Sequence, residues 1–230
     1  MPNLLLLDAS SSLCSVALLT DQGDFWKTED QPRRHAQRLL AMVDEILEEA
    51  GVSPQALNGV AFGRGPGSFT GIRIAVSVAQ GISLGLGIPV CGLSSLQLIA
   101  RAVCEQDDSV NDVMVIMDAH MGEVFWGQFR RSGDDLMPLS EEQVGTPEVC
   151  QQQLSQWQGS IAGGGLQLAD FSAYPQALNG IQPEARFMTT AARQAWDRGD
   201  FSDPENHPPV YLRNSVAWKK LDEQPSLLKK

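Results

Sequence analysis

The sequence predicts an α/β protein of two related lobes, and three observations carry that prediction. A run of four leucines closed by an acid, Leu4 to Asp8, recurs in kind as Val113 to Asp118, a second apolar run ending in aspartate. In the first half, strand-like and helix-like segments follow in the order three strands, helix, strand, helix, strand, helix. Between positions 51 and 100 the only charged residues are Arg64 and Arg73, and ten of the chain's 21 glycines fall there. Alternating elements point to layered α/β architecture, and two halves that open alike point to duplication.

Leu4 to Asp8 is apolar at successive positions, as a strand buried on both faces must be. Cys14 to Thr20 reads as the second strand and Asp21 to Asp24 as a hairpin turn, with a third strand from Phe25. From His35 to Ala50, Leu39, Leu40, Val43, Ile46, Leu47 and Ala50 follow helical spacing, and Gly51 stands where a C-terminal cap belongs. Asp44, Glu45, Glu48 and Glu49 mark the wet side of this helix. Gly59 to Phe62 is a short strand, Gly63 to Gly67 a glycine-rich turn, and about Ser68 to Leu86 a long helix that Ser68 or Thr70 can cap. On that helix Ile72, Val76, Ala79 and Ser83 share one face; Gly71, Ile74, Val78, Gly81 and Gly85 share the other. A helix apolar all round must be covered all round, so its own sheet covers one face; the glycine-flattened one is expected to meet a partner chain, the alternative being a central helix buried within its own domain. A membrane span needs about 18 consecutive apolar residues, and Arg73, Gln80 and Pro89 interrupt this stretch.

A strand near Ile88 to Cys91 and a helix over Ser94 to Cys104 complete the first lobe. The polar, acidic segment Gln106 to Asp112 marks the boundary, dividing the chain into residues 1–105 and 106–230. After it come the strand Val113 to Asp118 and its hairpin partner Glu123 to Phe129. Thr146-Pro147-Glu148 opens a helix with a hydroxyl, an early proline and an early acid. Ser160 to Ala162 is a short strand leading into Gly163 to Gly165, Thr190 to Arg198 a helix, and Asp203 to Pro209 a linker. The end, PVYLRNSVAWKK, joins aromatics to Arg213, Lys219 and Lys220 on an otherwise acidic protein. The 210–230 tail is expected to dock on its own protein, back on the first lobe, or on a partner.

Net charge is −11, with 17 basic and 28 acidic residues among 230. Such a chain makes a poor direct ligand for phosphate backbones, which need clustered Lys and Arg, so any role on RNA runs through a partner. Cys14, Cys91, Cys104 and Cys150 show no metal-like spacing and read as buried, reduced thiols of a cytosolic protein. The N-terminus shows neither a basic region nor a cleavage site.

The chemistry is thin. The glycine-rich turn lacks the Gly-Lys-Ser/Thr of a P-loop and does not match GxGxxG, although Gly65 and Gly67 before a helix can present amides to an anion. Asp8 and Asp118, at strand ends, could oppose each other across a cleft and hold a nucleotide's magnesium, with Ser10 near phosphate and Gly164 near a base. Strand-end aspartates equally often just close a turn. His35, His120 and His207 are far apart and form no HxxxH or HExxH pair, so no metal site on one helix is expected. No GxSxG elbow supports a hydrolase.

LLLLDASSSLCSVALL, RRHAQRLLAMV, GRGPGSFTGIRIAVSVAQGISLG, DAHMGEVFWGQF and PVYLRNSVAWKK together resemble the TsaB (YeaZ) family, over nearly the whole chain. The resemblance implies two ribonuclease-H-like lobes of the actin, sugar-kinase and Hsp70 superfamily. It implies a non-catalytic scaffold or activator that pairs with TsaD, and with it the ATPase TsaE, in the cytosol. TsaD places threonylcarbamoyl on the adenosine next to the anticodon of tRNAs reading ANN codons. Where TsaD carries an HxxxH helix, this chain reads SSLQLIARAV. The family's usual DAR is Asp118-Ala119-His120 here, and its DT is Asp8-Ala9. The expected interface comprises His35, Leu39, Val43 and Ile46 of one helix and Ile72, Ile74, Val76, Val78, Gly81 and Gly85 of the other. It is expected to recruit TsaD, or a second copy of this chain in isolation, with tRNA contacted only through TsaD. No cofactor is expected beyond weak ATP or ADP binding. The alternative is an ATP-dependent small-molecule kinase of the same fold; a protease is a third reading.

Overall fold

The computed structural model describes residues 1–30, 34–171, 174 and 177–213. In chain order the elements are β1 (Leu4–Asp8), β2 (Leu13–Leu19), β3 (Asp24–Asp30), α1 (His35–Ala50), β4 (Gly59–Gly65), α2 (Phe69–Leu86), β5 (Val90–Ser94) and α3 (Ser95–Gln106). There follow β6 (Asp112–His120), β7 (Glu123–Ser132), β8 (Asp135–Pro138), β9 (Gln143–Gly145), α4 (Pro147–Leu154), β10 (Ser160–Ala162), β11 (Ala177–Leu178) and α5 (Thr189–Arg198).

The two sheets share one topology. The first has the order β3-β2-β1-β4-β5, the second β8-β7-β6-β10-β11 with β9 added beside β7. In each, the first three strands in sequence pair antiparallel and the last two add parallel to the opening strand. This is a duplicated α/β fold of ribonuclease-H-like strand order, and β1 and β6, the two runs ending in aspartate, occupy equivalent central places.

Alternation along β1 decides the layers. Leu5 and Leu7 face the layer of α1 and α2; Leu4 and Leu6 face the other side of the sheet. That other side is covered by Leu98 and Ala102 of α3 and, from far along the chain, by Ala185, Phe187, Met188, Ala192 and Ala195. The division at 105 and 106 therefore separates the two sheets but not their coverings. α3 is the helix enclosed on all sides, since its Leu96, Ile99, Ala100, Val103 and Cys104 join the core of the second lobe. The four cysteines are buried free thiols, and burial pushes Cys14 and Cys150 up to about 12 and Cys91 up to about 11.

α2 is long and apolar enough, by length and composition, to cross a membrane. Its setting explains the composition otherwise: it is the crossover between β4 and β5, parallel neighbours in one sheet, and must lie along that sheet.

Residues 207–213 form a strap across both lobes. The Nδ1 of His207 accepts the Gly92 N–H at 3.2 Å, and the Val210 N–H donates to the Arg64 carbonyl at 2.8 Å. Leu212 packs on the second-lobe core. Arg213 donates to the Ala119 carbonyl at 3.1 Å and to the Glu123 carboxylate. The expected docking of the tail thus begins on both lobes; Lys219 and Lys220 lie outside the described residues.

Candidate partner-binding face and interlobe cleft

α1 has one apolar stripe, and the sheet takes it. Leu39, Val43 and Ile46 are buried among the strand leucines, which corrects their expected place on an outer surface: an amphipathic helix with a single stripe spends it on its own core. His35, at the first turn, is buried too, its Nε2 3.2 Å from the Ser12 carbonyl oxygen. It ties the helix to the β1–β2 turn and lines the interlobe cleft rather than the helical face. Gly51, at φ 65°, ends α1 in the left-handed conformation.

α2 starts at Ser68, whose Oγ accepts the Gly71 N–H at 3.2 Å. Ile72 and Val76, also expected outside, point inward with Ala75, Ala79 and Ser83. Gly71 turns inward as well, since a Cβ there would overlap the Ala9 carbonyl. The open face consists of half-buried Ile74, Val78 and Ile82 with Gly81 and Gly85, where a Cβ would meet nothing within 4 Å. Leu40 and Leu84 add 52% and 86% exposed side chains. A groove of about 240 Å³ runs between the two helices, bordered by Leu40, Asp44, Ile82 and Gly85. Away from this groove, at the start of α2, the Arg73 guanidinium lies 3.7 Å over the Phe69 ring and its Nε donates to the Tyr211 hydroxyl at 3.1 Å. In sequence Leu40 counts with the apolar stripe and not with the expected interface, although positions 36, 40 and 44 lie one step off the buried stripe and face outward with Asp44.

The interlobe cleft, about 780 Å³, collects Ser10, Ser11, Ser12, His35, Thr70, Asp118, His120, Gly164 and Gln182. Three expected contacts are turned away from it. Asp8 is fully buried, holds the N–H and hydroxyl of Ser10 at 3.0 Å, and is packed so closely on Gly63 that a Cβ there would overlap its carboxylate. Gly65, at φ 99°, lies under Ile72 and the Val210 carbonyl, and Gly67 under the Ser10 carbonyl. The glycines of the turn serve close packing, so only Ser10, Asp118 and Gly164 face the cleft. Asp118 accepts the His120 N–H at 2.7 Å, closing its own turn. Among the described residues the cleft lining contains no lysine or arginine, and no group of three or more His, Cys, Asp or Glu is arranged for a metal.

One serine–histidine pair does exist, Ser202 Oγ and His207 Nε2 at 3.0 Å. Because His207 Nδ1 accepts the Gly92 N–H and burial holds its pKa down, the neutral ring carries its proton on Nε2 and donates to Ser202. A general base for serine needs the opposite arrangement.

Fold and site together define a two-lobed, duplicated α/β protein with an open apolar helical face and a cleft lined by hydroxyls and amides. A family model described as TsaD, tRNA N6-adenosine threonylcarbamoyltransferase, matches residues 29–178. The tRNA threonylcarbamoyladenosine biosynthesis protein TsaB of Escherichia coli K12 is 37% identical over 226 residues, covering 95% of this chain and 97% of its own. The TsaB of Haemophilus influenzae is 36% identical over 230 residues, covering 95% and 96%. The solved structure of YeaZ from Pseudomonas aeruginosa superposes with a TM-score of 0.83 at 37% identity, over 92% of this chain and 100% of that one. A second Pseudomonas aeruginosa structure, described as similar to peptidase YEAZ, gives 0.84 at 38%, over 93% and 100%. The chain belongs to the TsaB (YeaZ) family.

Proposed function

We propose that this chain is the non-catalytic partner subunit in tRNA threonylcarbamoyladenosine synthesis, binding TsaD through the open α1–α2 face and, with it, TsaE in the cytosol. The observation that carries the reading is that face: two helices present Leu40, Ile74, Val78, Ile82 and two unobstructed glycines side by side, a contiguous apolar patch of the kind monomers seldom expose. The family relation supplies the pathway. The cleft, without a cation among its described lining residues, gives the kinase alternative nothing to grip a polyphosphate. The reversed Ser202–His207 pair counts against the protease.

Charge placement supports a twofold arrangement in the absence of TsaD. Arg73 lies toward the start of α2, whereas Asp44 shares a groove with Ile82 and Gly85 toward its end. A twofold axis near Val78 would set Arg73 of one copy, the one charge on α2, against the acidic side of α1 at Asp44 of the other, twice. A TsaD lobe of similar fold would occupy the same patch.

Val78→Glu places a charge on that patch and is expected to abolish both self-association by light scattering and capture of TsaD, with the thermal melt nearly unchanged. Val76→Glu, buried, is expected to unfold the chain instead. If folded Val78→Glu still captures TsaD normally, the interface lies elsewhere.

A further inference from the structure

A second cavity, about 560 Å³, opens between the ends of β4 and β5 and the β8–β9 loop. It takes no part in the helical face or the first cleft. Arg64, Ser94, Gln97, Ser140, Glu141 and Glu142 supply its polar groups, and Phe129, Leu139 and Leu212 its apolar wall.

Arg64 is positioned with some care. Its aliphatic stem lies on Gly92, where a Cβ would crowd Arg64 Cβ at 3.1 Å and Cδ at 3.3 Å. Its backbone carbonyl is held by the Val210 N–H. Its guanidinium, half-buried, has no hydrogen bond or ion pair among the described residues. Glu142 accepts the hydroxyl of Ser94, the residue that caps α3 through the Gln97 N–H; its second oxygen has no hydrogen bond among the described residues. Burial pushes the Glu142 carboxyl up, against the pull of Ser94 and then Arg64. The Ser140 hydroxyl is buried with no hydrogen-bond partner among the described residues. Arg64 and Glu142 thus share one cavity, which the exposed acid Glu141 also lines; among the described residues each of the two has unfilled hydrogen-bonding capacity, and they do not pair with each other within 4 Å.

We propose that this cavity binds a zwitterionic α-amino acid. Its carboxylate would take the Arg64 guanidinium in the two-pronged geometry that arginine favours, its ammonium the free oxygen of Glu142, and its side chain the wall of Phe129 and Leu212. A simple anion meets Glu142 and a simple cation meets Arg64, so a ligand carrying both charges satisfies the site where either alone does not.

The proposal stands apart from partner binding and is tested on the full chain. Each of the twenty protein amino acids is titrated by saturation-transfer NMR and calorimetry, with inorganic phosphate as a control. The tightest is then compared with its N-acetyl derivative and its methyl ester. The expected result is saturation below about 1 mM by at least one amino acid. Blocking either end of it, or Arg64→Gln, or Glu142→Gln, should weaken binding about tenfold or more, the loss of one charged hydrogen bond. The blocked derivatives decide the matter on wild-type protein should a variant misfold. Absence of binding by all twenty, or equal binding by blocked forms or folded variants, overturns the proposal. So does binding that appears only when residues 214–230 are removed, because the cavity then belongs to the protein's own end.

Discussion

At the back of β1, the Asp8 carboxyl is held by Ser10 and sealed from water by Gly63. Burial outweighs the two Ser10 hydrogen bonds and, with the nearby Glu184 charge, raises its pKa from 3.8 to about 6. A carboxyl that holds its proton more tightly when folded makes the native state the greater proton binder between those values. Stability then falls as pH rises from about 4 to about 6 and is flat above. The two-unit shift corresponds to about 3 kcal/mol at most. Asp8→Asn should therefore unfold no more easily than wild type at pH 7 in urea titrations, and should lose the slope between pH 4.5 and 6.5. A wild-type curve with no such slope would mean that Asp8 titrates normally. The sequence placed Asp8 at a strand end but could not show which way the carboxyl turns, because a cleft-facing and a backward-facing aspartate read identically along one strand.

Glycines on α2 do two different jobs that spacing alone does not separate. Gly71 is needed where the helix passes the Ala9 carbonyl, whereas Gly81 and Gly85 face open space. Gly71→Ala should destabilise the chain by about 1–3 kcal/mol through overpacking. Gly81→Ala and Gly85→Ala should each stabilise the isolated protein by up to about 1 kcal/mol through helix propensity, while weakening capture of TsaD if its backbone approaches there. Thermal melts and pull-downs on the same three variants read both effects. Much at this scale was legible: His35 to Ala50 and Gly51 were marked by periodicity and a C-terminal glycine, and Ser68 by the hydroxyl before an apolar run. The exposure of Leu40, and the burial of Leu39, Val43 and Ile46, needed the sheet that α1 lies on. β8, β9 and β11 carry too few residues, four, three and two, to show a period.

Across the whole molecule, the strap at 207–213 joins the lobes by short polar contacts to Gly92, Arg64 and the β6–β7 turn. Arg213 is the far anchor, with Glu123 as its ion-pair partner and the Ala119 carbonyl beside it. Arg213→Ala should cost about 1 kcal/mol, the modest value of a partly exposed pair. It should also speed hydrogen exchange at the Val210 amide and in the 118–123 turn without affecting α1. Unchanged exchange in that turn would show that the lobes are held by α3 alone. The duplicated order of strands could be read from the two aspartate-ended runs; docking of the tail is expected from its aromatics and cations, but not its bridging of both lobes, since a proline-rich segment with no periodicity gives no sign of what it touches.

The distant covering of the first sheet bears on how the protein is made. Leu4, Leu6, Ala17 and Leu19 leave the ribosome well before Ala185 to Ala195, which are part of what shields them. At about 5–20 residues per second, roughly 5–20 s of synthesis separates the completion of β5 from the arrival of α5. Throughout that interval a nascent chain carries all five strands of the first sheet with one greasy side incompletely shielded. The first lobe is in this sense hostage to a segment made much later, and a chain stalled before α5 would be a client for chaperones rather than a folded lobe.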